Sequence, residues 1–181
     1  MDRRQRKTRE AIFRAFTGLL ARKSYSRITV QDIISEADVG RATFYAHFET
    51  KDDLLRTLCA DVFEHVFSED LGKERTHDFS KEHNTAAVIT HILYHLQEHM
   101  AYLPGILSGE GGEIFMAAFK EQLKGVFAHS GLRPDSPVPH AYLLNHMVCD
   151  FAETVRWWAR NSQYTPEEIS AFFLETTPLF E

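Results

Sequence analysis

ITVQDIISEADVGRATFYAHFETKDDLL, residues 28–55, holds two short helical patterns on either side of a three-residue break. Thr29 is a good helix cap, and Asp32, three residues on, puts a carboxylate where it can reach back to the cap backbone. Val30, Ile33 and Ile34 follow at helical spacing, which predicts a short helix with Ala37 packed against it. Asp38-Val39-Gly40 interrupts the pattern with residue types that favour turns, and Arg41 to Phe48 resumes it. Two short helices joined by a tight turn make a helix-turn-helix over residues 29–47.

Upstream, Ile12, Phe13, Phe16, Leu19 and Leu20 recur at steps of three and four, which predicts an amphipathic helix over residues 3–23 with a mostly basic outer face. Residues 23–26 form a polar break before Thr29. Downstream, a longer helix from Lys51 carries Leu54, Leu55, Leu58, Val62, Phe63, Val66 and Phe67 on its apolar stripe. Residues 68–84 are charged and lose periodicity, which predicts a mobile connection and the boundary between two regions. Helical spacing returns over 86–100, 113–128, 138–160 and 166–176. Leu103-Pro104-Gly105 reads as a stop, Gly109 to Gly112 as a loop, and 130–139 as a break with three prolines. Thr165-Pro166-Glu167-Glu168 is a helix start, with a cap, a first-turn proline and first-turn acids. No segment alternates as a strand would, so the expected fold is all-α.

Charge divides the chain. The total is −6, yet residues 1–47 hold ten basic groups against five acidic ones, a net of +5, which leaves −11 for the remainder. Only the N-terminal part is suited to a polyanion. No run approaches the apolar length of a membrane span, and no apolar stretch follows the charged start MDRRQRKTRE, so a cytoplasmic location is expected. Cys59 and Cys149 lack metal-site or redox spacing and read as free thiols in helices.

Residues 9–58 resemble the tetracycline-repressor (TetR) family of bacterial regulators. The shared pattern is Thr29-Val30-x-x-Ile33 opening the second helix, Ala37-x-Val39 at the turn, Tyr45-x-His47-Phe48 ending the third helix, and Lys51-x-x-Leu54-Leu55 opening the fourth. This many residue types in one register is far more specific than a lone helix-turn-helix. The resemblance implies a three-helix DNA-binding domain over residues 1–50 and a helical effector-binding and dimerisation domain over 51–181. It implies a homodimer joined through about 140–160 and 166–176, because one recognition helix covers only a half-site and two at fixed separation read a palindrome.

In that setting the third helix enters the major groove. Gly40 and Ala42 let its backbone come close, Arg41 reads a guanine edge or holds a phosphate, and Thr43 reaches a base or a thymine methyl. The resemblance carries phosphate contacts to Tyr45, His47, Thr29 and Lys51, and Thr29 is also a plain cap. Phe44 and Phe48 are expected in the small core rather than on DNA. The run Arg3 to Arg9 is either a solvated arm or a source of minor-groove and phosphate contacts.

Beyond Leu58 the likeness is looser. Phe151 to Trp158, followed by Tyr164-Thr165-Pro166-Glu167-Glu168-Ile169, is similar to the TetR subgroup with a Trp-containing C-terminal helix, which includes dihydroxyacetone-kinase activator-like members. Both repressor and activator are therefore open. Large adaptable side chains fill this region, and His95, Met100, Phe115, Phe119 and Trp157 are the candidate lining of a pocket for an unidentified small-molecule effector. His91, His95 and His99 stand four apart on one helix face, a spacing at which a pair binds zinc. No cysteine or carboxylate completes a set, so a polar face or pocket lining is expected, with no metal and no cofactor. Catalysis is not expected, since GxSxG, HExxH and a phosphate loop after a strand are all missing. A dimeric helical adaptor without DNA binding is the remaining alternative, and the polar set Arg41, Thr43, Tyr45, His47 and Lys51 argues against it.

Overall fold

The structure is a computed structural model that describes residues 3–67, 85–128 and 136–177. Among the described residues there are nine α-helices and no strand. They are α1 Arg3–Leu20, α2 Val30–Ala37, α3 Arg41–Tyr45, α4 Lys51–Val66, α5 Thr85–Glu98, α6 Leu103–Leu107, α7 Glu110–Phe127, α8 His140–Trp158 and α9 Pro166–Thr176, with one 3₁₀ turn at Tyr25–Arg27. The connection expected over 68–84 lies outside the described residues, as do residues 130–135 of the expected break at 130–139. The chain forms two compact units, Met1–Asp61 with Ala101–Phe115, and Val62–Met100 with Met116–Glu181.

In the first unit α1 buries Ile12, Ala15, Phe16, Leu19 and Leu20 and packs on α2, whose Ile33 and Ile34 are buried in turn. Phe44 and Phe48 are 0% and 2% exposed, and Phe48 meets the rings of Phe13 at 5.6 Å and Phe44 at 5.9 Å. The basic run at the start lies in α1, as its spacing predicts, with Arg6 paired one turn along to Glu10 and Arg9 to Asp61.

Two segments differ from the sequence expectation. Leu103-Pro104-Gly105 does not stop a helix; it opens α6, where Pro104 takes an early position whose N–H has no intrahelical partner to lose. The expected loop at Gly109 to Gly112 shrinks to Gly109, which turns at φ 84, while Glu110, Gly111 and Gly112 form the first turn of α7. The glycines answer to close packing. A Cβ at Gly105 would lie 2.0 Å from the Leu20 carbonyl oxygen, and one at Gly111 would lie 2.8 Å from Tyr25 Cγ.

The second unit is built on aromatic contacts. Phe151 meets Phe173 at 5.0 Å, Phe127 at 5.8 Å and Phe119 at 6.2 Å, which joins α7, α8 and α9. The α9 start is a capping box between Thr165 and Glu168, as its sequence predicts. Two buried polar groups are matched: Thr90 Oγ1 bonds Ser170 Oγ at 2.9 Å, and the Trp158 indole N–H donates to the Tyr164 carbonyl at 2.9 Å. His91 and His95 are buried with ring centroids 4.4 Å apart, whereas His99 lies beyond the end of α5. Among the described residues no group of three or more His, Cys, Asp or Glu is placed to hold a metal ion, and no helix is long and apolar enough to cross a membrane. Both cysteines are free thiols, and burial pushes the Cys59 thiol up to about 12, which keeps it protonated and unreactive.

Candidate nucleic-acid interface

Helix α2 is fixed at both ends by short-range bonds. Thr29 Oγ1 accepts from the Asp32 backbone N–H at 3.1 Å, and Asp32 Oδ2 accepts from the Thr29 backbone N–H and hydroxyl, both at 2.8 Å. The Thr29 backbone bond, then its hydroxyl and Lys23, hold the Asp32 carboxyl below the usual range. At the other end Asp38 takes a left-handed conformation, φ 52, and its N–H donates to the Ile34 carbonyl. An aspartate tolerates this position better than most residues because its short polar chain bonds locally. The turn then reaches Gly40, whose backbone is ordinary and extended at φ −73. Among the described residues a Cβ at Gly40 would meet only Thr43 Oγ1, at 3.7 Å, so none of them requires glycine there.

Helix α3 buries a single side chain, Phe44. Arg41, Ala42, Thr43 and Tyr45 are all exposed, Tyr45 at 48%, with its ring edge-on to Phe44 at 5.4 Å. His47 is half-buried beside Phe48. The guanidinium of Arg41 donates to Gln31 Oε1 at 3.0 Å, and Gln31 stands two residues after Thr29. That bond brings the starts of α2 and α3 together. Thr29, Gly40, Arg41, Ala42, Thr43 and Tyr45 are thus exposed on the helix-turn-helix of one unit.

Lys51 sits differently. Its ammonium donates to the carbonyls of Tyr25 at 3.0 Å and Ile28 at 2.8 Å and lies 4.0 Å from the Tyr25 ring centroid. Burial lowers its pKa, against the opposing pull of Asp52 and Glu110. The Tyr25 hydroxyl donates to the Asp52 carboxylate, and burial first, then Asp52, pushes that phenol well above its usual range. This cluster holds the start of α4 to the turn that leads into α2. Sequence reading missed it, because its partners lie more than twenty residues apart.

The candidate effector residues differ in burial. Phe115 is buried in the first unit; His95 and Phe119 are buried in the second, where Met100 is half-buried. Trp157 is 47% exposed, beside a groove of about 500 Å³ between α8 and α9 that also borders Asp150, Glu153, Phe172 and Phe173. Trp157 stacks on Tyr164 at 5.5 Å, and Phe172 is 44% exposed.

Residues 12–58 match the family described as bacterial regulatory proteins, tetR family. Over 71 residues, 36% of this chain, the sequence is 42% identical to the HTH-type transcriptional regulator YxbF of Bacillus subtilis, and the match spans 19% of that protein. Over 62 residues, 34% of this chain, it is 36% identical to the HTH-type dhaKLM operon transcriptional activator DhaS of Lactococcus lactis, of which 31% is covered. The chain therefore spans less than two thirds of the length of either curated relative. Among solved structures, a TetR transcriptional regulator from Streptococcus agalactiae is 33% identical with a TM-score of 0.74, over 97% of this chain and 96% of that one. Sharing a third of its residues with that regulator along nearly its whole length, and carrying the family's N-terminal segment, the chain belongs to the TetR family of bacterial transcriptional regulators.

Proposed function

We propose that this chain is a ligand-responsive repressor that binds a palindromic operator as a homodimer, with α3 in the major groove. The observation that carries the reading is α3 itself: five residues held by one buried phenylalanine, with a polar, cationic face left to solvent. Arg41 takes a guanine edge or a phosphate, and Thr43 takes a base. Thr29, Tyr45 and His47 hold phosphates that set the register. Lys51 has two of its three N–H groups on the Tyr25 and Ile28 carbonyls, which leaves one for a phosphate. The exposed aromatics Tyr142 and Trp157 on α8 and Phe172 on α9 support a pairing surface there. The aromatic interior of the second unit, with His95 and Phe119, supports an apolar or aromatic effector. An effector that changes operator affinity must have its own affinity changed by the operator by the same factor.

Selection of bound sequences from random duplexes tests this reading. The expected winners carry an inverted repeat whose half-sites are about one helical turn, or a multiple of it, apart. Binding to them falls steeply with salt as counterions are released. No enrichment, or binding indifferent to salt, contradicts the proposal. Activation is the second reading, favoured by the likeness to DhaS, named as an activator. Transcription from a promoter carrying the selected site falls for a repressor and rises for an activator.

Gly40→Ala separates binding from folding. With only Thr43 Oγ1 within reach of the new Cβ, stability is expected to drop by about 1 kcal/mol or less. Affinity for the selected duplex is expected to fall roughly tenfold or more, because the methyl holds the backbone off the bases. Thermal unfolding and titration of the duplex check the two halves, and unchanged affinity contradicts a close approach at Gly40.

A further inference from the structure

We infer that Gln31 is a positioning residue for sequence recognition, which orients the guanidinium of Arg41 before DNA arrives. The inference rests on the reading of α3 as the groove-facing helix. Gln31 lies in the first turn of α2 and Arg41 is the first residue of α3, and both are exposed. Gln31 Oε1 accepts from Arg41 Nη2 at 3.0 Å, while Gln31 Nε2 donates to Ser35 Oγ, one turn along the same helix, at 3.2 Å. Both ends of the carboxamide are engaged, so its orientation is set. Reversing it would place an NH₂ against a guanidinium, two donors face to face.

A long exposed arginine samples many rotamers, and ordering it on a base edge opposes binding. The Gln31 bond confines that freedom in the unbound protein and uses one of five N–H donors, so the remaining fork can still form the two parallel bonds a guanine edge accepts. Charge explains why an amide suits this position. A carboxylate would orient Arg41 equally well but would cancel its charge and repel the phosphates. The partner that Arg41 has here is a neutral amide, which leaves its charge for the duplex.

The experiment compares the full chain with Gln31→Ala, Gln31→Glu, Arg41→Ala and the double variant Gln31→Ala with Arg41→Ala. Affinities are measured for the selected duplex, for the same duplex with each base pair replaced in turn, and for unrelated DNA. Gln31→Ala is expected to narrow discrimination at one base pair by roughly tenfold, with the salt slope, the affinity for unrelated DNA and the thermal midpoint unchanged. In the Arg41→Ala background it is expected to change nothing further. Gln31→Glu is expected to keep the preference and weaken binding to all duplexes. Unchanged discrimination in Gln31→Ala overturns the inference, as does an equal loss in the Arg41→Ala background, which would make Gln31 a direct reader. A parent chain with no preference for any duplex overturns this inference and the groove reading together; a parent chain with a preference that Gln31→Ala leaves intact overturns this inference alone.

Discussion

Gly105→Ala is expected to destabilise the first unit by about 3 kcal/mol, at the upper end of what overpacking does. The added Cβ would stand 2.0 Å from the carbonyl oxygen of Leu20, 2.9 Å from its carbon and 3.2 Å from the carbonyl oxygen of Lys23. All three are backbone atoms near the C-terminal end of α1, so no side chain can swing aside to relieve the clash. Either α6 lifts from α1 or the end of α1 unwinds, and both expose Leu103, Ile106 and Leu107, which are buried. Gly18→Ala is the control. Nothing lies within 4 Å of that Cβ, and alanine favours a helix interior, so a gain of up to about 1 kcal/mol is expected. Denaturant midpoints check the pair. A Gly105→Ala midpoint equal to that of the parent would show that α6 does not rest on α1.

Arg41→Ala is expected to remove on the order of 1–3 kcal/mol of binding per half-site of the selected operator, and to relax the preference at one base pair of each half-site if the fork meets a guanine. Two such half-sites in a dimer double the loss per operator. A uniform loss on every duplex, with a shallower salt slope, assigns Arg41 to a phosphate instead. Stability is expected to change little, because the side chain is exposed and its partner Gln31 is exposed too. Titrations at several salt concentrations distinguish the outcomes, and undiminished binding contradicts a groove-facing α3.

The helix-turn-helix was legible because its signals are local. The Thr29 cap, the Asp32 that answers it and the apolar step Val30-Ile33-Ile34 lie within six residues, and the capping box forms between them. Phe44 and Phe48 could be assigned to the core because they stand four apart in a stretch that is otherwise polar or small. Local rules failed where distant backbone decides. Proline next to glycine at 104 and 105 reads as a breaker, yet Pro104 fits an early helical position and Gly105 is small because Leu20, far back in the chain, leaves no room for a Cβ. The same holds for Gly111, packed against Tyr25.

In the site, residue types were legible and partners were not. Lys51 stands where its family pattern places a lysine, but nothing in the sequence reveals that Tyr25 and Ile28 carbonyls take two of its donors. Gln31 escaped notice because an exposed glutamine in a first helical turn carries no signal until Arg41 is seen bonded to it. In the second unit, His95, Phe119 and Trp157 read alike as candidate pocket lining, while burial separates them: the first two are 0% exposed and Trp157 is 47% exposed. Which face of α8 a neighbouring helix covers is a tertiary matter that periodicity alone does not contain.

Placement of α3 against the wide groove of a duplex is open to methylation interference on the selected operator. Methyl groups on guanine N7 project into the major groove, and those on adenine N3 into the minor groove. With α3 in that groove, N7 methylation is expected to exclude duplexes from the bound fraction at two clusters of guanines about one helical turn, or a multiple of it, apart. Bound DNA tolerant of N7 methylation throughout, with interference at adenine N3 alone, would contradict it.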